Sequence, residues 1–361
     1  MPVLNLPQLH KCLPARKRLP MAAGIGFVLI LMIPSVAQGL SAPVEPPPSV
    51  DSEQVDLRPR FVPGQAMRYE MSINSRSQLS SKELPEMDGK QAMKQTLRLS
   101  LRVLEAGSDG ATLEMIYDAA KVSYESDEMS AEYDSANPPP ARPGTGTTPA
   151  GNRSPDPLAD PDASKLLESL VKGMVGAKLL LKTDSAGNIT SVTGDGGLSI
   201  MSKSFMASVG GSGLPGLGGG AGAGGAGGSP SPSETAKWLI GGLRPSGMAR
   251  VGETWTNIDS LGGTPLGEFQ MRTEHTLATH RAGIAAVKFS GKATATSAGS
   301  PSPTGFQLDH MTNDGTYQWD TRRGMLLRMD ADMRVGISAS LTGILLKSDS
   351  VTTVSVKQLE R

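Results

Sequence analysis

Long runs in which every second residue is apolar constrain this chain more than any other feature. Met67, Tyr69, Met71 and Ile73 alternate with Arg68, Glu70, Ser72 and Asn74, and Leu97, Leu99, Leu101 and Val103 alternate with Thr96, Arg98, Ser100 and Arg102. Successive side chains on a strand point to opposite faces, so these runs predict antiparallel strands with one apolar and one wetted face. Gly107-Ser-Asp-Gly110 turns the second run into a third, Ala111, Leu113, Met115 and Tyr117. Residues 122–133 extend the pattern with many charges, as an edge strand does. A hairpin follows over 177–183 and 188–193, turned by Asp184-Ser-Ala-Gly187. In the last third, strands are predicted over 252–257, 268–280, 285–296, 304–320, 325–338 and 344–359. Arg281-Ala-Gly283 and Asp320-Thr-Arg-Arg-Gly324 supply turns, and residues 297–303 read as a hairpin tip.

Only short stretches change period. Across 163–175, Leu166, Leu167, Leu170, Val171, Met174 and Val175 share a helical stripe, with Asp162 placed to cap its start. Residues 199–209 read as a short helix. Residues 233–241 read as a helical turn capped by Ser233 and carrying Trp238 and Leu239. The expected fold is therefore mainly β: a large curved antiparallel sheet, a half-barrel, with one or two helices in its concave face. The two halves share a plan, in which a Pro-Gly (Val62-Pro-Gly64) or Val-Gly (Val251-Gly252) lead-in opens a Tyr or Trp strand and long hairpins follow.

The domain plan follows from what cannot pack. Residues 1–37 read as a secretory signal: Lys11, Arg16, Lys17 and Arg18 precede an apolar run from Met21 to Ile33, closed by Pro34 and Ser35-Val-Ala37. Cleavage near Ala37 places the product outside the cytoplasm, periplasmic or extracellular. If segment 21–37 is retained, it anchors the same domain to a membrane. Residues 38–54 form a Pro-rich spacer. A single β-rich domain over 55–361 follows, interrupted by a disordered 137–161 and a Gly-rich 210–233 that bury too little apolar area to offset the entropy of ordering. The single cysteine, Cys12, leaves with the signal, so no disulfide, thiolate metal site or redox pair is expected afterwards. The whole chain balances 35 basic against 35 acidic residues; without the signal's four, 31 face 35, a formal charge of −4. That balance argues against a nucleic-acid partner.

Catalytic motifs are sparse. His275 shares the parity of Phe269, Met271 and Leu277 and is expected in the core, with His280 on the opposite face beside a turn. Asp309-His310 with Asp314 is the best acid-histidine cluster, but no third ligand stands at motif spacing, and no metal or cofactor is expected. The glycine tract lacks the Lys-Ser/Thr of a phosphate loop and reads as a linker. No G-x-S-x-G elbow is present, and Asp330 with Asp332 reads as strand charge among arginines. Binding is better supported. Met67, Met71, Met115 and Met271, with Met325 and Met329, lie on apolar parities, and methionine suits a surface that takes varied apolar ligands, though it also serves as plain core filler. Leu166, Leu170 and Met174 of the helix complete the candidate ligand set.

The order Val62-Pro-Gly64, Tyr69, a Leu-rich helix, Lys182-Thr-Asp-Ser-Ala-Gly187, Val251-Gly-Glu-Thr-Trp255 and Trp319-Asp-Thr-Arg-Arg-Gly324 resembles an uncharacterised family of secreted bacterial proteins of the planctomycete type, grouped as a domain of unknown function. More distantly it is similar to the lipoprotein-carrier half-barrels. The likeness implies a curved sheet wrapped around helices with a greasy concavity, and no catalytic residues. The expected protein is non-enzymatic, holding an apolar small molecule or an envelope protein in the half-barrel. A structural or envelope-assembly module is the alternative, and a hydrolase with an unrecognised site ranks last.

Overall fold

The computed structural model describes residues 54–85, 88–127, 129–138, 161–194, 235–236, 239–240, 247–264, 267–295, 306–341 and 344–360. The expected signal, the spacer, most of 137–161, the helix over 199–209, the Gly-rich tract and the hairpin tip at 297–303 lie outside them. In chain order the elements are β1 (Gln54–Asp56), β2 (Ala66–Ser81), β3 (Gly89–Gly107), β4 (Gly110–Ser126), β5 (Ser130–Asp134), α1 (Pro161–Met174), β6 (Lys178–Asp184), β7 (Ile189–Gly194) and β8 (Met248–Arg250). Then come β9 (Thr254–Thr264), β10 (Gly267–Arg281), β11 (Ile284–Ala295), β12 (Phe306–Asp320), β13 (Met325–Leu341) and β14 (Ile344–Leu359).

Twelve strands form one antiparallel sheet in the order β7-β6-β4-β3-β2-β14-β13-β12-β11-β10-β9, with β5 added beside β4. The sheet is not closed; it is the large curved antiparallel sheet that the alternation predicts. On each long strand one parity is buried and the other wet: Met67, Tyr69, Met71 and Ile73 on β2, Leu97 to Val103 on β3, Val354 and Val356 on β14. The buried faces of both halves join one core cluster. The sheet's centre is where β2 pairs with β14, so the first and last long strands are neighbours.

The common plan of the two halves extends to their hydrogen bonds. Gly64 and Gly252 both adopt positive φ (80° and 88°), as the third residue of a type II turn requires. Gly64 N–H donates to the Val103 carbonyl (2.9 Å) and Val103 N–H to that of Gln65 (2.9 Å); Gly252 donates to Leu277 (2.8 Å) and Leu277 to Glu253 (3.1 Å). Gln65 and Glu253 each turn a side-chain oxygen back to the N–H three residues earlier, on Val62 and Arg250. A bulge follows at the matching place in both, after Val103 on β3 and after Leu277 on β10. The cross-strand row Met67–Leu101–Met115 in the first half thus corresponds to Trp255–His275–Phe289 in the second.

Two features pack against the sheet. One is a strap: β1 pairs with β8, Val55 opposite Ala249, and residues 57–65 cross from there towards β2. Arg60 N–H donates to the Gly324 carbonyl (3.3 Å). A Cβ on Gly324 would stand 2.2 Å from the Arg60 nitrogen, so the crossing requires glycine. Beneath the strap, Phe61, Tyr69, Trp319, Met325, Leu239 and Ile240 leave a cavity of only about 10 Å³, the room of one water. Leu239 and Ile240 belong to the second helical turn, as the sequence predicts.

The other is α1, which packs on β5 and β4. Pro161 opens it, at a position where a missing N–H costs nothing, so Asp162 falls in the first turn and not at the cap. Its buried residues are Leu167, Val171 and Met174, spaced i, i+4, i+7. Gly176 ends it at φ 84°, and its N–H donates to the Tyr117 carbonyl (2.8 Å), which aligns β6 on β4. Several strand limits differ from expectation: β3 begins at Gly89 and β9 runs on to Thr264, for example. The 122–133 stretch divides at residues 127–129 into the end of β4 and the separate edge strand β5, and Gly252 with Glu253 forms a turn ahead of β9.

Candidate functional site

The inner face of the sheet is the candidate site. Met67, Met71, Met115 and Met271 all point into it and are buried, as are Met325 and Met329. Met67 and Met115 share one cross-strand row through Leu101, while Met71 lies on the row of Leu97 and Ala120. Met271 belongs to the other half, on β10, five strands from β2 in sheet order. On α1, Met174 is buried and Leu170 is half-buried on the flank of the stripe. The side chain of Leu166 lies outside the described residues. The six expected residues whose side chains are described therefore do not converge: they are spread over a common lining.

The lining is uncharged. Among the described residues no Asp, Glu, Lys or Arg is buried; the buried polar groups are serine and threonine hydroxyls, the amides of Gln95 and Asn313, and His275. Several stand on one row that crosses the sheet, Ser75–Thr352–Met333–Asn313–Gly291–Thr273. The Ser75 and Thr352 hydroxyls bond each other at 2.9 Å. Asn313 Oδ1 is buried with no hydrogen-bond partner among the described residues. Gly291, paired with both Asn313 and Thr273, contributes no side chain between those two polar groups.

One row along stands His275, 0 % exposed. Trp255 stacks on its imidazole with ring centroids 5.4 Å apart and planes 10° apart. Phe289 and Tyr317 approach at 5.8 and 6.3 Å. Phe289 keeps its place because Gly315 lies under it: a Cβ there would stand 2.4 Å from the ring. Neither His275 nitrogen, nor the Trp255 indole nitrogen, meets a hydrogen-bond partner among the described residues. Each such buried group costs about 1–3 kcal/mol of stability. Burial also pushes the His275 pKa down to about 3, so the ring is neutral at ordinary pH. It offers one N–H donor and one nitrogen acceptor.

Parity correctly places His275 in the core, but its relation to His280 needs correction. The bulge between Leu277 and Thr279 returns His280 to the face of buried Ala285, so the two histidines share a face. His280 Nε2 lies 3.2 Å from the Thr321 hydroxyl at the strand end. Trp255, Asn313 and Gly291 are absent from the candidate set read from sequence. The available signal was that three aromatic residues meet one histidine on neighbouring strands in an aromatic-poor chain, which only the strand register reveals.

The acid-histidine cluster disperses over the outer face. Asp309 accepts from Ser338 (2.8 Å), Asp314 accepts from Ser290 (2.6 Å), and His310 stands 3.9 Å from Asp349 over Gly336. Asp330 pairs with Arg328 (2.6 Å) and accepts from Ser355; Asp332 accepts from Thr353. Asp314, Asp330 and Asp332 flank an open groove of about 630 Å³ with Glu274 and Lys288. Among the described residues no group of three His, Cys, Asp or Glu could hold a metal ion, and no helix is long and apolar enough to cross a membrane.

The fold and lining define a class, an open β half-barrel with an uncharged interior. No protein-family model and no curated protein matches the chain. Among solved structures, a lipovitellin chain, from a study of its lipid–protein interactions, is similar at 10% identity and a TM-score of 0.41. The match covers 83% of this chain and 26% of that one, so this chain spans about a quarter of its length. DynF from the dynemicin biosynthesis pathway of Micromonospora chersina (8% identity, 90% and 94% covered, TM-score 0.18) and Pseudomonas aeruginosa OpdQ (5%, 82% and 100%, 0.22) are similar more weakly.

Proposed function

We propose that this protein is a non-enzymatic exported binder that holds an apolar molecule against the concave face of its half-barrel. The observation that carries this reading is the lining: an open sheet whose inner face is apolar, rich in methionine and free of buried charge among the described residues. Contact with an apolar lining of this kind removes hydrocarbon from water at about 25 cal/mol per Å² buried, and methionine adapts its shape to the guest. Export rests on the signal-like residues 1–37, and the plan is that of the carrier half-barrels the sequence resembles. Titration of delipidated protein with fatty acids, phospholipids and apolar dyes tests it; saturable one-to-one uptake supports it, and no affinity for any of them counts against it.

A second reading, an envelope-assembly module, is favoured by the open edge. Among the described residues β9 pairs only with β10, and Ile258 on it is 62 % exposed, an arrangement that receives a further strand. Pull-down from envelope extract separates the two: a stoichiometric protein partner supports assembly, and co-purified lipid supports carriage.

A further inference from the structure

We infer that the unpartnered polar groups of His275, Trp255 and Asn313, on neighbouring cross-strand rows, form the head-group site of this binder, and that it selects lipids whose head is uncharged but hydrogen-bonding, such as alcohols and acylglycerols. This rests on the reading above and adds the ligand class. The first support is comparison between the halves. The place of His275 in the second half is filled by Leu101 in the first, on the row Met67–Leu101–Met115. The scaffold thus packs that position with a plain hydrocarbon, and an imidazole there adds polar atoms that the fold does not need. The second support is that those atoms are buried and unpartnered among the described residues: both His275 nitrogens, the Trp255 indole N–H and Asn313 Oδ1. Together they present donors and acceptors, and Gly291, paired with both Thr273 and Asn313, places no side chain between those two.

Charge sets the class. No Asp, Glu, Lys or Arg is buried among the described residues, so a carboxylate or phosphate head would lose its hydration with no counter-charge to replace it. A hydroxyl or ester loses far less and recovers it by hydrogen bonds to the imidazole and the Asn313 carbonyl oxygen.

The test is competitive titration of the delipidated full chain at pH 8 with 1-monopalmitoylglycerol and with palmitate, which share a hydrocarbon tail. The monoacylglycerol is expected to bind about tenfold more tightly. His275→Leu, which copies Leu101, and Asn313→Leu should each shrink that preference several-fold while leaving tail binding in place. The imidazole ¹⁵N resonances of His275 should shift on binding the monoacylglycerol in the unaltered protein, a readout independent of how well the variants fold. Equal affinity for the two lipids, or a preference that survives both substitutions with no shift at His275, overturns the inference and leaves carriage standing. Binding of neither lipid overturns both.

Discussion

Ser75 on β2 and Thr352 on β14, 277 residues apart in sequence, share a 2.9 Å hydrogen bond between their buried hydroxyls. They face each other in the register that joins the first long strand to the last. Removing either partner alone leaves a hydroxyl buried without its bond, so Ser75→Ala and Thr352→Val should each cost about 1–3 kcal/mol. The double variant should cost less than the sum, because no orphaned group remains. Urea unfolding of the four proteins checks this; additive losses would mean that the two hydroxyls act independently.

Gly315 makes room for an aromatic ring. A Cβ added there would stand 2.4 Å from both the Phe289 ring and the Asp330 carbonyl oxygen. Gly315→Ala should therefore destabilise by about 1–3 kcal/mol, as overpacking does. Truncating Phe289 as well should not restore stability, because the backbone oxygen stays where it is. Thermal denaturation of the single and double variants decides it, and a rescue would show that only the ring was in the way.

His275 gives stability a pH dependence of known sign. Its pKa is about 3 in the folded chain and near 6.5 when unfolded. Between those values the unfolded state binds a proton that the folded state refuses, so stability is complete above about pH 6.5 and declines as pH falls towards 3. The slope approaches about 1.4 kcal/mol per pH unit, or roughly 2–3 kcal/mol lost by pH 4.5. Carboxylates such as Asp56 and Glu70, held low by Arg58 and Lys357, lose their contribution in a more acidic window. His275→Leu should therefore flatten the melting temperature between pH 6.5 and 4.5. An unchanged slope would place the titrating group elsewhere.

What was legible in the sequence was whatever obeyed period two. Strands β10 to β14 lie close to their expected limits because their inward residues are apolar over most of their length, and the inward parity of His275 follows from the same rule. The first half of β3 was hidden because Gln91 and Gln95 share its inner parity and Lys90 and Lys94 flank them. Strands β1 and β8 are three residues each, too short to show a period, and their pairing is a long-range contact that no local pattern encodes. Bulges defeat parity too: one extra residue after Leu277 reverses the face of His280. In α1, Leu167, Leu170 and Val171 all fit a stripe, and only packing on β4 and β5 selects Leu167 and Val171 over Leu170 for burial. The methionines of the inner face are legible by parity; the grouping of Trp255, His275, Phe289 and Asn313 depends on register across β9 to β12 and is not.

Whether the concave face holds an apolar molecule is decided by native mass spectrometry of the protein purified without detergent from its native cells. The expected result is a species heavier than the polypeptide by one lipid, lost on delipidation and restored by adding monoacylglycerol. A bare polypeptide mass that no added lipid increases would contradict it.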